Sequence, residues 1–411
     1  VADGGDRPPA ATPVLIVTTE LPGRVGGAQV RNLGLVGCLH RLGHPVTVVS
    51  LSDGRRSPDD LVAAGARVVT VPLRAVSPVR AAATALARRV PPSFVPFRDP
   101  ALHEAVLREV ARAGGRVVVQ LEQVQAYDAV QPLLDRLRAA GHVIVLDAHN
   151  VEAVTFVEGA RHLGRAMRAA GWWIAGGLRR RERAAAADAD LVLTCSSEDA
   201  AWFAGPAPRV AVVPNGVDCA YFAPDAPPAS SPAPGVLFMG GAAYPPNEDA
   251  LRFYLDDVHP RVAAAVPGAT FTAIGSSPPR WLADRAAADP TIVLPGFVPD
   301  VRDHVRAAAV CACPIRAGSG TRLKVLEYLA AGKAVVSTTK GSEGLEYVAG
   351  RDLLIADDAP AFADAVIALL GDPRRRAELG EAGRRLVATT YDWTVVAQRL
   401  ADAYRPLAAM A

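Results

Sequence analysis

Lysine is nearly absent from this 411-residue chain. Of its 44 basic side chains only Lys324, Lys333 and Lys340 are lysine, and arginine serves everywhere else. The abundance of alanine and arginine is what drift in a GC-rich genome produces, so composition alone carries little weight. No run of about 18 apolar residues occurs, so no membrane-spanning helix is expected. The opening VADGGDRPPAATP has no apolar stretch and reads as a loose tail over 1–13 with no secretory signal, which makes a cytoplasmic protein the expectation. The net charge of +2 is too small to indicate nucleic-acid binding. Five cysteines do not make a disulfide framework in a chain this long. Cys311 and Cys313 form a CxC, but inside an apolar strand run without further Cys or His at ligand spacing, so they read as buried small residues. The dinucleotide fingerprint GxGxxG is missing: the first glycine loop is GRVGGAQ, and VTVVSLSDG offers only Asp53 as a loose ribose ligand. A phosphate-binding P-loop is missing too.

What is present is alternation. The chain is longer than a single core usually grows, so two domains are expected. VLIVT, a glycine-rich loop, an amphipathic helix ending near Gly43 and TVVSL form a βαβ unit. Strands at 67–71, 117–122, 143–150 and 191–196 continue the series, with helices near 101–113, 128–140 and up to about 187, and a proline-rich crossing at 72–100. Residues 205–234 are dense in Pro, Gly and Ser and mark a boundary. A second series then places strands at 236–240, 270–275, 292–296, 310–314, 334–338 and 353–356. Its helices fall from about 248 and at 300–308, 321–331, 359–370 and 373–388, with a last one at 391–409. The expected fold class is α/β: two parallel-sheet domains in tandem. The expected limits are 14–218, a linker 219–234, 235–388, and a terminal helix in 389–411.

The lysine question sharpens in AGSGTRLKVLE, residues 317–327. A helix start carries partial positive charge and unpaired N–H groups, and acidic residues belong there. SSEDA (196–200) and NEDA (247–250) follow that rule behind a Ser or Asn cap, whereas Arg322 and Lys324 reverse it. Each misplaced cation costs about 0.3–1 kcal/mol. An anion is the partner that would compensate: N–H groups from Gly318 to Thr321, a guanidinium and an ammonium suit a diphosphate. The plain alternative is two solvated charges at a frayed end. Glu327, one turn on, either pairs with Lys324 or holds sugar hydroxyls; the sequence does not choose.

GSGTRLKVLEYLAAGKAVVSTTKGSEGLE resembles the nucleotide-binding block of family-4 retaining glycosyltransferases of GT-B fold, in a GTRLK-containing subgroup. GGAQVRNL, DAHNVE, ADLVLTCSSED, VVPNGVDCAYFAP, VLFMGGAAYPPNEDALRF, GFVPDVRD and YDW match in order and span almost the whole chain. The resemblance implies two Rossmann-like parallel-sheet domains facing a central cleft. The nucleotide-sugar donor would bind mainly to the second, the acceptor mainly to the first, and the last helix would cross back. It implies that Glu327 holds the donor ribose, that Gly318, Ser319, Gly320, Thr321 and Leu323 lie at the donor sugar and distal phosphate, and that Gly296, Phe297 and Val298 lie beside the base. Gly240 would close the first strand of the donor domain, Gly26 and Gly27 would approach the diphosphate, and His149 would lie near the donor sugar. Two departures matter. Ser319 stands where many relatives have the first Glu of Glu-x7-Glu, and GGAAYPPN lacks the usual Arg and Lys, so Arg322 and Lys324 are the substitutes for the diphosphate.

The implied reaction moves a glycosyl group from a nucleoside diphosphate to an unknown acceptor hydroxyl with retention. His149, Arg322 and Lys324 are the catalytic candidates; neither metal nor cofactor is expected. DAHN alone would be a turn with a hydrogen-bonded His149. Asp188 and Asp190 spell DxD, but between a helix and a strand, where such residues are solvated connectors. Residues 161–184 hold seven arginines and a Trp pair. Leu163, Met167, Ala170, Ile174 and Leu178 form a stripe read as core-facing, the alternative being peripheral contact with an anionic membrane, at its inner face. Rival readings are a GT-B sugar-nucleotide epimerase and a catalytically silent relative that activates a partner enzyme.

Overall fold

The structure, a computed structural model, describes residues 12–24, 26–160, 165–223, 234–318 and 320–408. Most of the tail 1–13, most of the linker 219–234, Leu163 and Ser319 therefore lie outside the described residues. The chain divides into two compact units, Val1–Pro214 with Val396–Ala411, and Asn215–Val395.

The first unit is built on seven parallel strands: β1 (Val14–Thr18), β2 (Val46–Ser52), β3 (Arg67–Pro72), β4 (Val118–Glu122), β5 (Val143–Ala148), β6 (Leu191–Thr194) and β7 (Val210–Val212). Their order is β3-β2-β1-β4-β5-β6-β7. β1, β4 and β5 are buried at every position, which is why they read as unbroken apolar runs instead of alternating ones. Each fully buried Val, Leu or Ile there contributes about 1.5–3 kcal/mol. Val14 pairs with Val46 on one side and Val118 on the other, so the order reverses at β1.

Three features of this unit differ from the sequence expectation. The proline-rich crossing contains a helix, Pro78–Arg88, capped by Ser77 and started by Pro78 at its first position, where a missing N–H costs nothing. The helix expected near 128 begins at Gln123 and is interrupted at Gln131–Leu133, where Pro132 cannot continue it. β7 lies inside the stretch read as boundary, because its three half-buried residues make a weak apolar signal.

The second unit has six parallel strands: β8 (Gly235–Met239), β9 (Thr270–Ile274), β10 (Ile292–Gly296), β11 (Val310–Cys313), β12 (Ala334–Ser337) and β13 (Leu354–Ile355). They run β10-β9-β8-β11-β12-β13, so the order reverses at β8. Cys311 and Cys313 are free and buried in β11, as read. The helix Pro245–Phe253 starts two residues before Asn247, which is therefore inside the first turn and not the cap. The helix after β11 runs Leu323–Ala330 with Arg322 at its N-cap, shorter than expected at its start. Gly332 (φ +67°) ends it, and Lys333 N–H returns to Tyr328 O (3.0 Å).

Candidate functional site

Open parallel sheets bind ligands beyond the carboxyl ends of their strands, where the strand order reverses. Each unit has such a point, and each gathers charged side chains there.

In the second unit, the helix Leu323–Ala330 is tied to the end of β8 by Tyr328, whose hydroxyl accepts the Met239 N–H (2.7 Å). Lys324 Nζ donates to Asn247 Oδ1 (2.9 Å) and lies 4.1 Å from the centre of the Phe238 ring. Asn247 Nδ2 donates to Gly241 O (3.0 Å), which turns the amide oxygen toward the lysine. Gly240 (φ +151°) is required at this crossing: a Cβ there would come 2.7 Å from both Lys324 Nζ and Asn247 Nδ2. Among the described residues no carboxylate lies within ion-pair distance of Lys324. Burial lowers its pKa to about 8, with the Arg322 charge adding to the effect against opposing pulls from Cys313 and Glu327. Glu327 has no hydrogen bond or ion pair among the described residues, and burial lifts its carboxyl to about 7 against the pull of Lys324. Of the two readings left open for Glu327, the pair with Lys324 is not formed.

Arg322 behaves differently from its neighbour. Its guanidinium folds over the preceding loop, donating to Gly320 O (2.8 Å) and Ala317 O (3.2 Å). Gly318 (φ +96°) and Gly320 (φ +80°) take left-handed conformations under it. Thr321 Oγ1 is buried without a hydrogen-bond partner among the described residues. Leu323 packs against the core. Gly296 (φ +76°) accepts from Gly275 N–H (3.1 Å), and Val298 packs inward while Phe297 is 61% exposed. Gly240, Ile274, Gly275, Leu294 and Gly296 line an apolar crevice at the ends of β8–β10. The other lysines are engaged elsewhere: Lys333 with Arg306 O (2.9 Å), Lys340 with Glu343 (2.8 Å).

In the first unit the charges are paired with each other. Arg31, 1% exposed on the helix Gly27–Arg41, holds Asp147 at the end of β5 through both oxygens (2.8 and 2.6 Å) and donates to Val213 O (2.9 Å). His149 Nε2 lies 2.8 Å from Glu122 Oε2 and 3.2 Å from Asp147 Oδ2. Asn32, with its amide nitrogen turned toward the cluster, donates to Glu122 Oε2 (2.7 Å). Burial opposes the imidazolium, but the Asp147 charge and the hydrogen bonds to Asp147 and Glu122 prevail and raise His149 to about 9. Burial likewise opposes ionised Asp147, and Arg31 holds it well below the usual carboxylate range. Burial, then Asp147, lifts Glu122 to about 6 despite the bond from His149. His149 Nδ1 is buried without a hydrogen-bond partner among the described residues. Gly26 (φ +100°) is the N-cap of the helix that Gly27 opens, and a Cβ on Gly26 would overlap Gln29.

Glu122, Asp147 and His149 are also close enough to share a cation. Two protein cations, Arg31 and His149, already face the two carboxylates, so the set is balanced as it stands. Asp188 and Asp190 are connectors: Asp188 accepts from Tyr127 O–H (2.7 Å), and Asp190 from Ile144 N–H (2.8 Å). In the arginine-rich helix the stripe holds at Leu178, which is buried, and at Ile174, half-buried against the core, and is corrected at Ala170, which is exposed; Gly171, Ala175 and Glu182 are buried as well, and the Met167 side chain lies outside what is described. The sequence reading also missed Arg31, Asp147, Glu122 and Asn247. The apolar strands ending in a single charged residue, LE and LD, were the available signal.

Comparison with known proteins fits this geometry. The family model for Glycosyltransferase Family 4 matches residues 25–221, and that for Glycosyl transferases group 1 matches 233–372. A glycogen synthase of Mycobacterium tuberculosis is 26% identical over 276 residues, covering 63% of each chain. A GDP-mannose-dependent alpha-(1-6)-phosphatidylinositol monomannoside mannosyltransferase of Mycolicibacterium smegmatis is 29% identical over 241 residues, covering 52% of this chain and 62% of that one. The matches thus span about three-fifths of these curated relatives' length. Among solved structures, sucrose-phosphate synthase from Thermosynechococcus elongatus superposes with TM-score 0.70 at 19% identity over 97% of this chain and 100% of that one. Anabaena HepE in complex with UDP gives 0.66 at 13% identity over 96% and 100%.

Two parallel sheets, each flanked by helices and each carrying a polar site where its order reverses, define a GT-B fold of two Rossmann-like domains. The chain is related to the group 1 and family 4 glycosyltransferases.

Proposed function

We propose that this protein transfers a glycosyl group from a nucleoside-diphosphate sugar to an acceptor hydroxyl with retention and without a metal. The observation that carries the reading is Lys324, a half-buried ammonium at the reversal of the second sheet that faces a neutral amide in place of an anion. A diphosphate supplies the missing charge. The unpaired Glu327 then accepts the ribose hydroxyls, and the crevice beside Gly296 takes the base. Arg322 shapes the Gly318–Thr321 loop whose N–H groups and free Thr321 hydroxyl meet the distal phosphate. HepE, of similar fold, has been solved with UDP and with UDP-glucose, which supports a nucleotide on this architecture.

As the bond to the sugar breaks, negative charge grows on the departing phosphate, and Lys324 and the loop N–H groups stabilise it without reorganising. The acceptor hydroxyl attacks from the face the diphosphate leaves, and a phosphate oxygen takes its proton, so retention needs no protein base. His149, with Nε2 held by carboxylates, presents Nδ1–H as a donor for a sugar hydroxyl. The test is a thermal-shift panel of UDP, GDP, ADP, dTDP and CDP with their sugars. Stabilisation by one family, lost in Lys324→Ala, supports the reading; no shift with any nucleotide overturns it.

The acceptor side also carries Trp172 and Trp173, 67% and 46% exposed, beside exposed Arg179, Arg180 and Arg183. We assign this face to peripheral contact with an anionic membrane. Sedimentation with liposomes, with and without anionic lipid, tests it; equal binding ends the assignment. Among the described residues no helix is long and apolar enough to cross a membrane.

A further inference from the structure

We propose that Tyr404, on the last helix (Trp393–Ala408), is a positioning residue for His149 and acts through Gln120 and Glu122. The links are a continuous series of hydrogen bonds within the first unit. Tyr404 O–H donates to Gln120 Oε1. Gln120 Nε2 donates to Glu122 Oε1 (2.6 Å), and Glu122 Oε2 faces His149 Nε2 (2.8 Å). Tyr404 is 6% exposed, Gln120 0% and Glu122 1%, so water does not substitute for any member.

The direction of donation is fixed by chemistry. Burial keeps the phenol protonated, its pKa well above the ordinary range. An amide that accepts at Oε1 must present its nitrogen on the other side, and that nitrogen only donates. Glu122 therefore receives a donor on each oxygen and stays an acceptor toward His149. If the amide turned over, its oxygen would face a carboxylate oxygen in a dry interior, an arrangement that costs the desolvation of both. The Tyr404 hydroxyl thus selects the amide orientation that keeps Glu122 ionised. It thereby keeps Nε2 of His149 as the donor and leaves Nδ1 as the ring atom with no bond inside the protein.

The other charged groups around His149 do not replace this input. Asp147, from β5, is committed to Arg31 as well as to His149. Glu152, on the helix that follows, acts on His149 only through space. Cys195, beyond β6, lies near Arg31 and stays a neutral thiol, its pKa pushed up to about 12 by burial.

The proposal rests on the transfer reading only for its catalytic consequence, and its test needs no sugar nucleotide. Long-range 1H–15N spectra of the histidine rings are recorded on the whole chain across pH, with His149 assigned by His149→Gln. Tyr404→Phe removes one hydroxyl, and Gln120→Met removes the amide between. In each variant the His149 titration midpoint is expected to fall by about half to one pH unit, the net worth of one ordinary hydrogen bond, since the lost bond is one step removed from the ring. The double variant falls no further, since both break the same series. An unchanged midpoint in Tyr404→Phe, or additive shifts in the double variant, overturns the proposal. Thermal melts of the same samples show that the chains compared are folded. Because these spectra are taken without nucleotide, a failed thermal-shift panel would sink the transfer reading and leave this result standing.

Discussion

The two charged clusters solve opposite problems. In the first unit Arg31, Asp147, His149 and Glu122 satisfy one another, and every charge is met inside the protein. In the second, Lys324 and Glu327 stand one turn apart on the same helix and do not pair; burial pushes each toward its neutral form. A paired buried cluster serves geometry, because breaking it is expensive and it does not move. An unpaired one serves binding, because its deficit is made good only by something from outside.

The comparison can be broken at its strongest point first. Arg31→Met should leave two buried carboxylates, Asp147 and Glu122, sharing one imidazolium and destabilise the chain by about 3–5 kcal/mol, read by urea unfolding. Lys324→Met should do the reverse. Stability should hold or rise, while nucleoside-diphosphate affinity falls about ten- to a hundredfold, the worth of a charge-assisted hydrogen bond, read by calorimetry. If both variants behave alike, the contrast between the clusters is wrong.

The pH dependences should also run in opposite directions. His149 has a folded pKa of about 9, above its ordinary 6.5, so its contribution to stability is complete below 6.5 and is lost as pH rises through 9. Lys324 has a folded pKa of about 8, below its ordinary 10.5, so its penalty is complete below 8 and fades by 10.5. Melting curves of His149→Gln should lose the first slope and those of Lys324→Met the second. Nucleotide binding at pH 8.5 should draw most of a proton onto Lys324, seen as a buffer-dependent heat of binding. The smallest effect is expected from Glu327→Gln, about tenfold in affinity for a nucleotide and none for inorganic pyrophosphate, because only the ribose contact is lost.

The fold was legible because parallel strands covered on both faces print themselves as apolar runs: VLIVT, VIVLDA and VCAC need no partner to be read. The proposed anion site was legible because Arg322 and Lys324 break a local electrostatic rule. Their separate roles were not, since which way a guanidinium folds is decided by the carbonyls of Ala317 and Gly320, invisible until the loop closes. Arg31 and Asp147 lie 116 positions apart and meet only because β1 and β5 flank β4. Asn247 was misread as a cap because Pro245 had already started the helix. Its contact with Lys324 depends on Gly240 having no side chain.

Tyr328 separates the fixed from the variable in this site. By accepting the Met239 N–H it locks the helix bearing Lys324 and Glu327 against the central strand, so the proposed grip on phosphate and ribose cannot drift without tearing a buried amide loose. In the loops at 296–298 and 317–320 the backbone at Gly296, Ala317 and Gly320 is held instead by bonds from Gly275 N–H and the Arg322 side chain, both within the site itself. A lineage acquiring a new base or a new sugar would therefore be expected to rewrite those loops and leave the LKVLEY segment alone.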